Sequence, residues 1–284
     1  MQVFEKKSAL INCLSLLKEK NMQIGFVPTM GALHKGHQSL VEESNKNNDI
    51  TVVSIFINPT QFNNPEDLKK YPKTVEKDLE LLRKSNCDII FIPSVEEIYA
   101  TKVISKLYSF DGLEHQMEGK FRTGHFDGVA TIVQAFLKII QPSVAYFGEK
   151  DFQQLQIVRK LVEKENIPVA IIGCPIYREN DGLAMSSRNI RLSKEQRKSS
   201  PFIYQTLKKV ELLFRTKSIS EINAFVEKEF QSVSQLELEY FTIAKESTLI
   251  EAIKTDSTHN YRAFIAVFAG KIRLIDNLSL TINK

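Results

Sequence analysis

Two of the chain's five histidines, His34 and His37, stand three residues apart in "VPTMGALHKGH" (Val27–His37), between an apolar run and a helix-like one. Both imidazoles can donate hydrogen bonds to phosphate oxygens, Gly36 lets the backbone come close, and a helix starting there presents unpaired N–H groups and its positive dipole end. Together they form a cradle for a triphosphate whose charge moves during a reaction. Two commoner phosphate motifs do not fit. Gly31 and Gly36 have the spacing of a P-loop, but His37 and Gln38 replace the Lys and Ser/Thr that would hold the terminal phosphates and a metal. No Gly-x-Gly-x-x-Gly follows the first strand, so the dinucleotide fingerprint is absent. A zinc site lacks Cys or His partners at ligand spacing. A surface histidine beside a helix-capping one would satisfy the same letters, so the pair needs company.

Three further stretches supply it. "SIFINPTQF" ends an apolar strand with Asn58, Pro59 and Gln61, neutral hydrogen-bonding groups suited to a hydroxylated substrate. "YFGEKDFQQL" ends another with Gly148, Lys150, Asp151 and Gln154; the lysine can meet phosphate as a point charge, while Asp151 could equally cap the next helix. "DGLAMSSRN" carries Ser186, Ser187 and Arg188 in a loop able to close over phosphates. A polar turn, a helix cap and a linker would account for these one at a time, but not for all of them at strand ends.

Those positions require a particular scaffold. "QIGFVPT" and "ITVVSIFIN" are short apolar runs rich in β-branched residues, and "DIIFIP", "VAYFG" and "PVAIIGCPI" are further strand-like apolar runs. Between them, "TVEKDLELLRKSN", "GVATIVQAFLKIIQ" and "DFQQLQIVRKLVEKEN" have helical periodicity. This alternation predicts an α/β fold, a parallel sheet covered by helices over residues 1–175, with ligands at the carboxyl ends of the strands. Beyond about Tyr177 the order changes to a long loop (178–193), helices in 194–216 and 220–233, and strands "LEYFTIA", "YRAFIAVFA" and "KIRLIDNLSLTI", the last two joined by a hairpin turn at "AGK". That predicts a smaller α+β domain over 176–284.

Composition narrows the partners. The net charge of +4 is spread along 284 residues, which gives no basic surface for nucleic acid or an anionic membrane. No run is long enough to span a bilayer, and the first twenty residues lack the apolar core of a signal peptide. Cys13, Cys87 and Cys174 lie far apart, as reduced thiols of a cytoplasmic protein would.

A His-x-Gly-His at the first strand end, joined to a later Ser-Ser-Arg loop, resembles the nucleotidyltransferase superfamily that includes class I aminoacyl-tRNA synthetases. Within it, "PTMGALHKGH", "SIFINPTQF", "RTGHFDGV", "FGEKDFQQL" and "DGLAMSSRN" are similar, in the same order and over nearly the full length, to blocks of the pantothenate synthetase (pantoate–β-alanine ligase) family. The resemblance implies a Rossmann-like N-terminal domain, a C-terminal lid domain, a homodimer, and Mg2+-ATP-dependent condensation of pantoate with β-alanine through pantoyl adenylate, giving pantothenate, AMP and pyrophosphate.

Carried over residue by residue, it places Met30, Gly31, Ala32, Leu33, His34, Lys35, Gly36 and His37 on ATP, with Gly148, Glu149, Lys150, Asp151, Tyr177, Met185, Ser186, Ser187 and Arg188. His37 becomes the proton donor, and His34, Lys150 and Arg188 the other catalytic groups. Gln61 and Gln154 hold the acid substrate, and no protein metal ligand is implied. Tyr71 and Arg122 fall near the pocket. Tyr177 and Thr123 depart from the family's pattern, which has a smaller aliphatic residue and a proline there. A related enzyme acting on a phosphorylated acceptor is disfavoured by the neutral Gln61 and Gln154, and a tRNA-charging enzyme by the lack of an anticodon-reading region. An idle nucleotide-binding regulator would have a broken motif, whereas His34, His37, Lys150 and Arg188 are all present.

Overall fold

The computed structural model describes residues 1–63, 65–99 and 102–281. The chain divides into two compact units, one of Met1–Glu149 with Gln153–Pro175 and one of Lys150–Phe152 with Ile176–Lys284.

In the first unit the order is β1 (Gln2–Phe4), α1 (Lys7–Glu19), β2 (Ile24–Thr29), α2 (Lys35–Asn47), β3 (Ile50–Ile55), α3 (Pro65–Lys69), α4 (Val75–Lys84), β4 (Ile89–Phe91), α5 (Val95–Tyr99), α6 (Met117–Phe121), α7 (His125–Ile140), β5 (Val144–Gly148), α8 (Phe152–Lys164) and β6 (Ala170–Cys174). The six strands form one parallel sheet in the order β1-β4-β3-β2-β5-β6. The predicted strands and helices are present; β1, an edge strand of three residues, is too short to carry a period and was not expected.

Alternating residues of β2 face opposite layers. Phe26 meets Phe136 of α7, which also packs edge-on against Phe56 and Phe91, with ring centroids 5.8–6.0 Å apart in the three pairs. Each such pair adds about 0.5–1.5 kcal/mol beyond its buried area. Val27 faces the other way into a cluster with Leu40 and Val41 of α2 and Leu82 of α4. Burial pushes the Cys87 thiol up to about 12 and that of Cys174 to about 11, so both stay protonated and act as packing groups.

The chain winds outward from β2 through β3 to β4 and then returns to the other side of β2 as β5, so the sheet reverses direction between β2 and β5. Ligands of open α/β sheets bind at such a reversal, outside the carboxyl ends. The two strands pair only at Gly25 with Val144 and Phe26 with Ala145, whereas β2 stays paired with β3 to its last residue. Pro28, without an N–H to give, stands beyond the point where the ladder to β5 ends. The strands part there, and the crevice opens.

The second unit has α9 (Lys194–Ser199), α10 (Phe202–Leu213) and α11 (Ile219–Gln231) and an antiparallel sheet β7 (Glu237–Lys245), β8 (Tyr261–Ala269) and β9 (Ile272–Leu280). Leu207, Val210, Ile222 and Val226 pack with Ala263, Ile265 and Val267 of the central strand. Gly270 and Lys271 make the two-residue turn between Ala269 and Ile272. Ile282, the end of the last expected strand, lies outside the described residues. The helix expected over 194–216 is split after Ser199, because Pro201 offers no N–H to the carbonyl of Arg197.

Candidate active site

The loop leaving β2 turns back sharply. Gly31 at φ +80° and Ala32 at φ +51° are both left-handed, a conformation that costs a non-glycine residue energy and persists only when its surroundings enforce it. The enforcing group is Asp78 of α4. Its carboxylate accepts from the N–H of Ala32 at 3.0 Å and of Leu33 at 2.8 Å, and it is 2% exposed. These two amides therefore point into the protein, and any contact of Ala32 or Leu33 with a nucleotide uses their other atoms.

His34 is the N-cap of α2. Its Nδ1 accepts from the Gly36 N–H at 3.2 Å, while the Nδ1 of His37 accepts from the His34 N–H at 3.3 Å. The capping role and the phosphate role thus coexist, because each ring has two nitrogens. A neutral imidazole whose Nδ1 accepts carries its proton on Nε2. The rings lie 4.1 Å apart, so two donors of one tautomer sit side by side at a helix N-terminus.

After β3, Asn58 is 1% exposed and organises its surroundings. Its Nδ2 donates to the Gly128 carbonyl at 3.0 Å and to Gln61 Oε1 at 3.3 Å, and its Oδ1 accepts from the Tyr99 hydroxyl at 2.5 Å. Burial holds the Tyr99 phenol above its ordinary pKa, so it remains a donor. A Cβ on Gly128 would lie 2.4 Å from the Thr60 carbonyl oxygen, so only glycine lets α7 approach this turn. The Gln61 side-chain amide nitrogen faces Met30 Sδ, and the Gln61 backbone carbonyl accepts from His125 Nδ1 at 2.8 Å and from Arg122 at 3.4 Å. Met30 and Gln61, both expected at the site, are thus brought together. Tyr71 is buried edge-on against Phe62, 5.6 Å between centroids.

Gly148 ends β5 and Glu149 follows it at the same crevice, and Gln154 is half-buried on α8. Its neighbour Gln153 is buried and structural, donating to the Leu113 and Gln116 carbonyls at 2.8 and 2.9 Å.

In the second unit, Lys150 is held through its carbonyl, which accepts from Asn277 Nδ2 at 2.9 Å, and its ammonium lies 3.8 Å from Asp151. The segment expected as a loop from 178 is more ordered than that. Tyr177–Met185 is a hairpin, with an isolated bridge between Arg178 and Ala184, the Glu179 N–H donating to the Leu183 carbonyl at 2.8 Å and the Met185 N–H to the Tyr177 carbonyl at 3.0 Å. The Tyr177 carbonyl is therefore already engaged. Ser186 folds the next turn, accepting from the Arg188 N–H on Oγ at 3.2 Å and from the Asn189 N–H on its carbonyl at 3.0 Å. Ser187 and Arg188 are half-buried on this turn.

Asp78, Tyr99 and Asn277 were missed in the sequence, and Asn58 had no assigned role. Asp78 had a signal: it shares with Leu82, four residues on, the buried face of an otherwise amphipathic helix. Asp276 and Asn277 likewise break an apolar strand.

A parallel sheet that opens between β2 and β5, with two imidazoles at a helix N-terminus on its carboxyl side, defines an α/β enzyme handling phosphate groups. A family model described as pantoate-beta-alanine ligase matches residues 2–279, and the chain belongs to that family. It is 55% identical over 281 residues to a pantothenate synthetase of Flavobacterium psychrophilum, covering 99% of this chain and 100% of the relative. With one of Christiangramia forsetii it shares 52% over 281 residues, 99% of each. Among solved structures it resembles the pantothenate synthetase of Thermus thermophilus (TM-score 0.91, 38% identity, 98% and 99% of the two chains). It also resembles the pantoate-beta-alanine ligase of Francisella tularensis solved in complex with β-γ ATP and β-alanine (TM-score 0.81, 34% identity, 98% and 97%). The chain is a ligase of pantothenate biosynthesis. Among the described residues no helix is long and apolar enough to cross a membrane.

Proposed function

We propose that the chain activates pantoate as pantoyl adenylate, with His34, His37, Lys150 and Arg188 carrying the charge, and then passes the pantoyl group to β-alanine. A carboxylate is a poor acceptor for an amine because oxide would have to leave. One oxygen of pantoate therefore attacks the α-phosphorus of ATP, the bond to the bridging oxygen breaks, and pyrophosphate departs. The amine of β-alanine then attacks the acyl carbon, AMP leaves, and a proton is lost as the amide forms. Negative charge grows on the leaving pyrophosphate in the first step; His37 donates to it, and His34, Lys150 and the Ser186–Arg188 turn are assigned to the same charge. Gln61 and Gln154 hold pantoate, with no covalent enzyme intermediate.

The observation that carries this reading is the reciprocal capping of His34 and His37. It fixes both rings as neutral Nε2–H donors before any ligand arrives, so little reorganisation is left for the reaction. Among the described residues there is no group of three or more His, Cys, Asp or Glu placed to hold a metal. Imidazoles, lysine and arginine do not suit a hard cation, so Mg2+ would enter with ATP, held by phosphate oxygens and water. The family resemblance supports a homodimer in the cytoplasm with the C-terminal domain, residues 176–284, acting as a lid.

Label tracing tests the route. With oxygen-18 in the pantoate carboxylate, one labelled oxygen should appear in AMP and none in pyrophosphate or phosphate. Label in inorganic phosphate together with ADP would overturn the adenylate route. Replacing Gln61 with alanine should raise the KM for pantoate about tenfold or more and leave that for ATP nearly unchanged, since its amide is assigned to the acid. Equal losses for both substrates would remove that assignment.

A further inference from the structure

We infer that Asp78 is a positioning residue for the reaction: by holding the Gly31–Leu33 turn it sets the register in which His34 and His37 cap one another and present their Nε2–H groups. The inference rests on the function proposed for those two histidines and goes beyond it. Asp78 lies in a helix remote in sequence from the loop, and its bonds are to the turn rather than to the imidazoles.

The buried carboxylate is fully engaged. Ala32 and Leu33 donate to its two oxygens, and the Thr74 hydroxyl donates to Oδ1 at 3.2 Å. It also sits in the first turn of α4, where the helix dipole favours negative charge. Two consecutive N–H groups aimed at one anion make a small anion-binding concavity. In most phosphate-binding loops the nucleotide fills it; here the protein's own carboxylate does. The turn is thereby formed before ATP arrives, and the phosphates are left to the side chains beyond it.

The geometry then passes along the chain without a gap. The Leu33 amide held by Asp78 is followed directly by His34, whose N–H is the donor to His37 Nδ1. If the turn relaxes, that N–H swings away, His37 loses the acceptor role that fixes its tautomer, and the Gly36–His34 contact loosens with it. Glycine at position 31 is required twice, by its φ of +80° and because a Cβ there would lie 3.1 Å from both Asp78 Oδ2 and Ile55 Cγ2.

The test uses the complete ligand-free chain, uniformly labelled with nitrogen-15, and follows the ring nitrogens of its five histidines. In the parent protein His34 and His37 should each show an unprotonated Nδ1 and a protonated Nε2. In Asp78→Asn, which puts an amide NH2 against one of the two backbone donors, both rings should move to averaged tautomer shifts, while His115 and His259 keep theirs. Single-turnover pyrophosphate release at saturating ATP and pantoate should slow about tenfold, as expected when catalytic groups lose their fixed positions. Thr74→Ala, which removes only the third donor, should shift the same two rings less, and it decides the matter by the same readings if Asp78→Asn does not fold. A folded Asp78→Asn with parent-like His34 and His37 signals would overturn the inference. The tautomer reading needs no substrate, so it stands apart from the functional proposal, which falls instead if His37→Ala retains full adenylation.

Discussion

His37→Ala should lower the rate of pyrophosphate release in the first half-reaction by about 10²–10³-fold, the usual loss when one donor to a developing oxyanion is removed. The fold should survive. His37 is half-buried at the third position of α2, where it accepts the His34 N–H on its Nδ1 as a cap and lies against the His34 ring. Losing a cap costs about 1 kcal/mol, a small fraction of the stability of a chain this size. The kinetic loss should fall on kcat and on kcat/KM alike, because the hydrogen bond strengthens only as charge reaches the departing phosphate. His37→Gln, which keeps a donor at the end of a longer amide, should recover part of the rate. Rapid-quench measurement of pyrophosphate at saturating ATP and pantoate is the check. A raised KM for ATP with unchanged kcat would show that His37 grips the nucleotide equally in ground and transition states, and would take from it the role of donor to the developing charge.

The scaffold of this site was largely legible from sequence, because it depends on periodicity. Five short apolar runs separated by amphipathic helices specify a parallel sheet, and the chemistry-bearing letters fall at or just after the ends of those runs. What could not be read depends on groups distant in the chain that meet only after folding. The carboxylate of Asp78 looks like one more charge on a helix until α4 packs beside α2, and Asn58 reads as a turn residue until Tyr99 and Gly128 close around it. The hairpin at Tyr177–Met185 was read as open loop because its sequence, "YRENDGLAM", has no apolar alternation. It is held by a salt bridge from Arg178 to Asp276 on a distant strand. The split at Pro201 was visible in the sequence, but the helical period resumes with Phe202, which hides the short break between Ser199 and Phe202.

That salt bridge carries the other large expectation, a loss of about 3–5 kcal/mol in stability for Arg178→Ala, the scale for leaving a buried charge without its partner. Arg178 grips Asp276 with both nitrogens, at 2.6 and 2.9 Å, and its guanidinium lies 3.8 Å from the Tyr204 ring centroid. The Asp276 side chain is 3% exposed. Burial pushes its carboxyl above the ordinary range, and the arginine works against that rise. With the arginine gone the rise is larger, opposed now by the Asn277 N–H and Lys150, so the folded variant holds its proton on Asp276 to higher pH than the unfolded chain, which releases it near pH ~4. Protons are then bound more by the folded state, so stability falls as the pH climbs from that value through the raised folded one. The deficit relative to the parent should therefore be larger at about pH 7.5 than at about pH 5 in urea unfolding followed by circular dichroism. Arg178→Met combined with Asp276→Leu should recover much of the loss, because an apolar pair has no charge to strand. A deficit independent of pH would mean that stacking on Tyr204 and the bonds to the Gly182 and Asn277 carbonyls, and not the ion pair, hold the hairpin. The consequence reaches the turn proposed to meet phosphate, because Met185 pairs with Tyr177 and leads straight into Ser186–Arg188. A frayed hairpin would leave that turn unsupported, so the same variant should bind ATP more weakly even at temperatures where it remains folded.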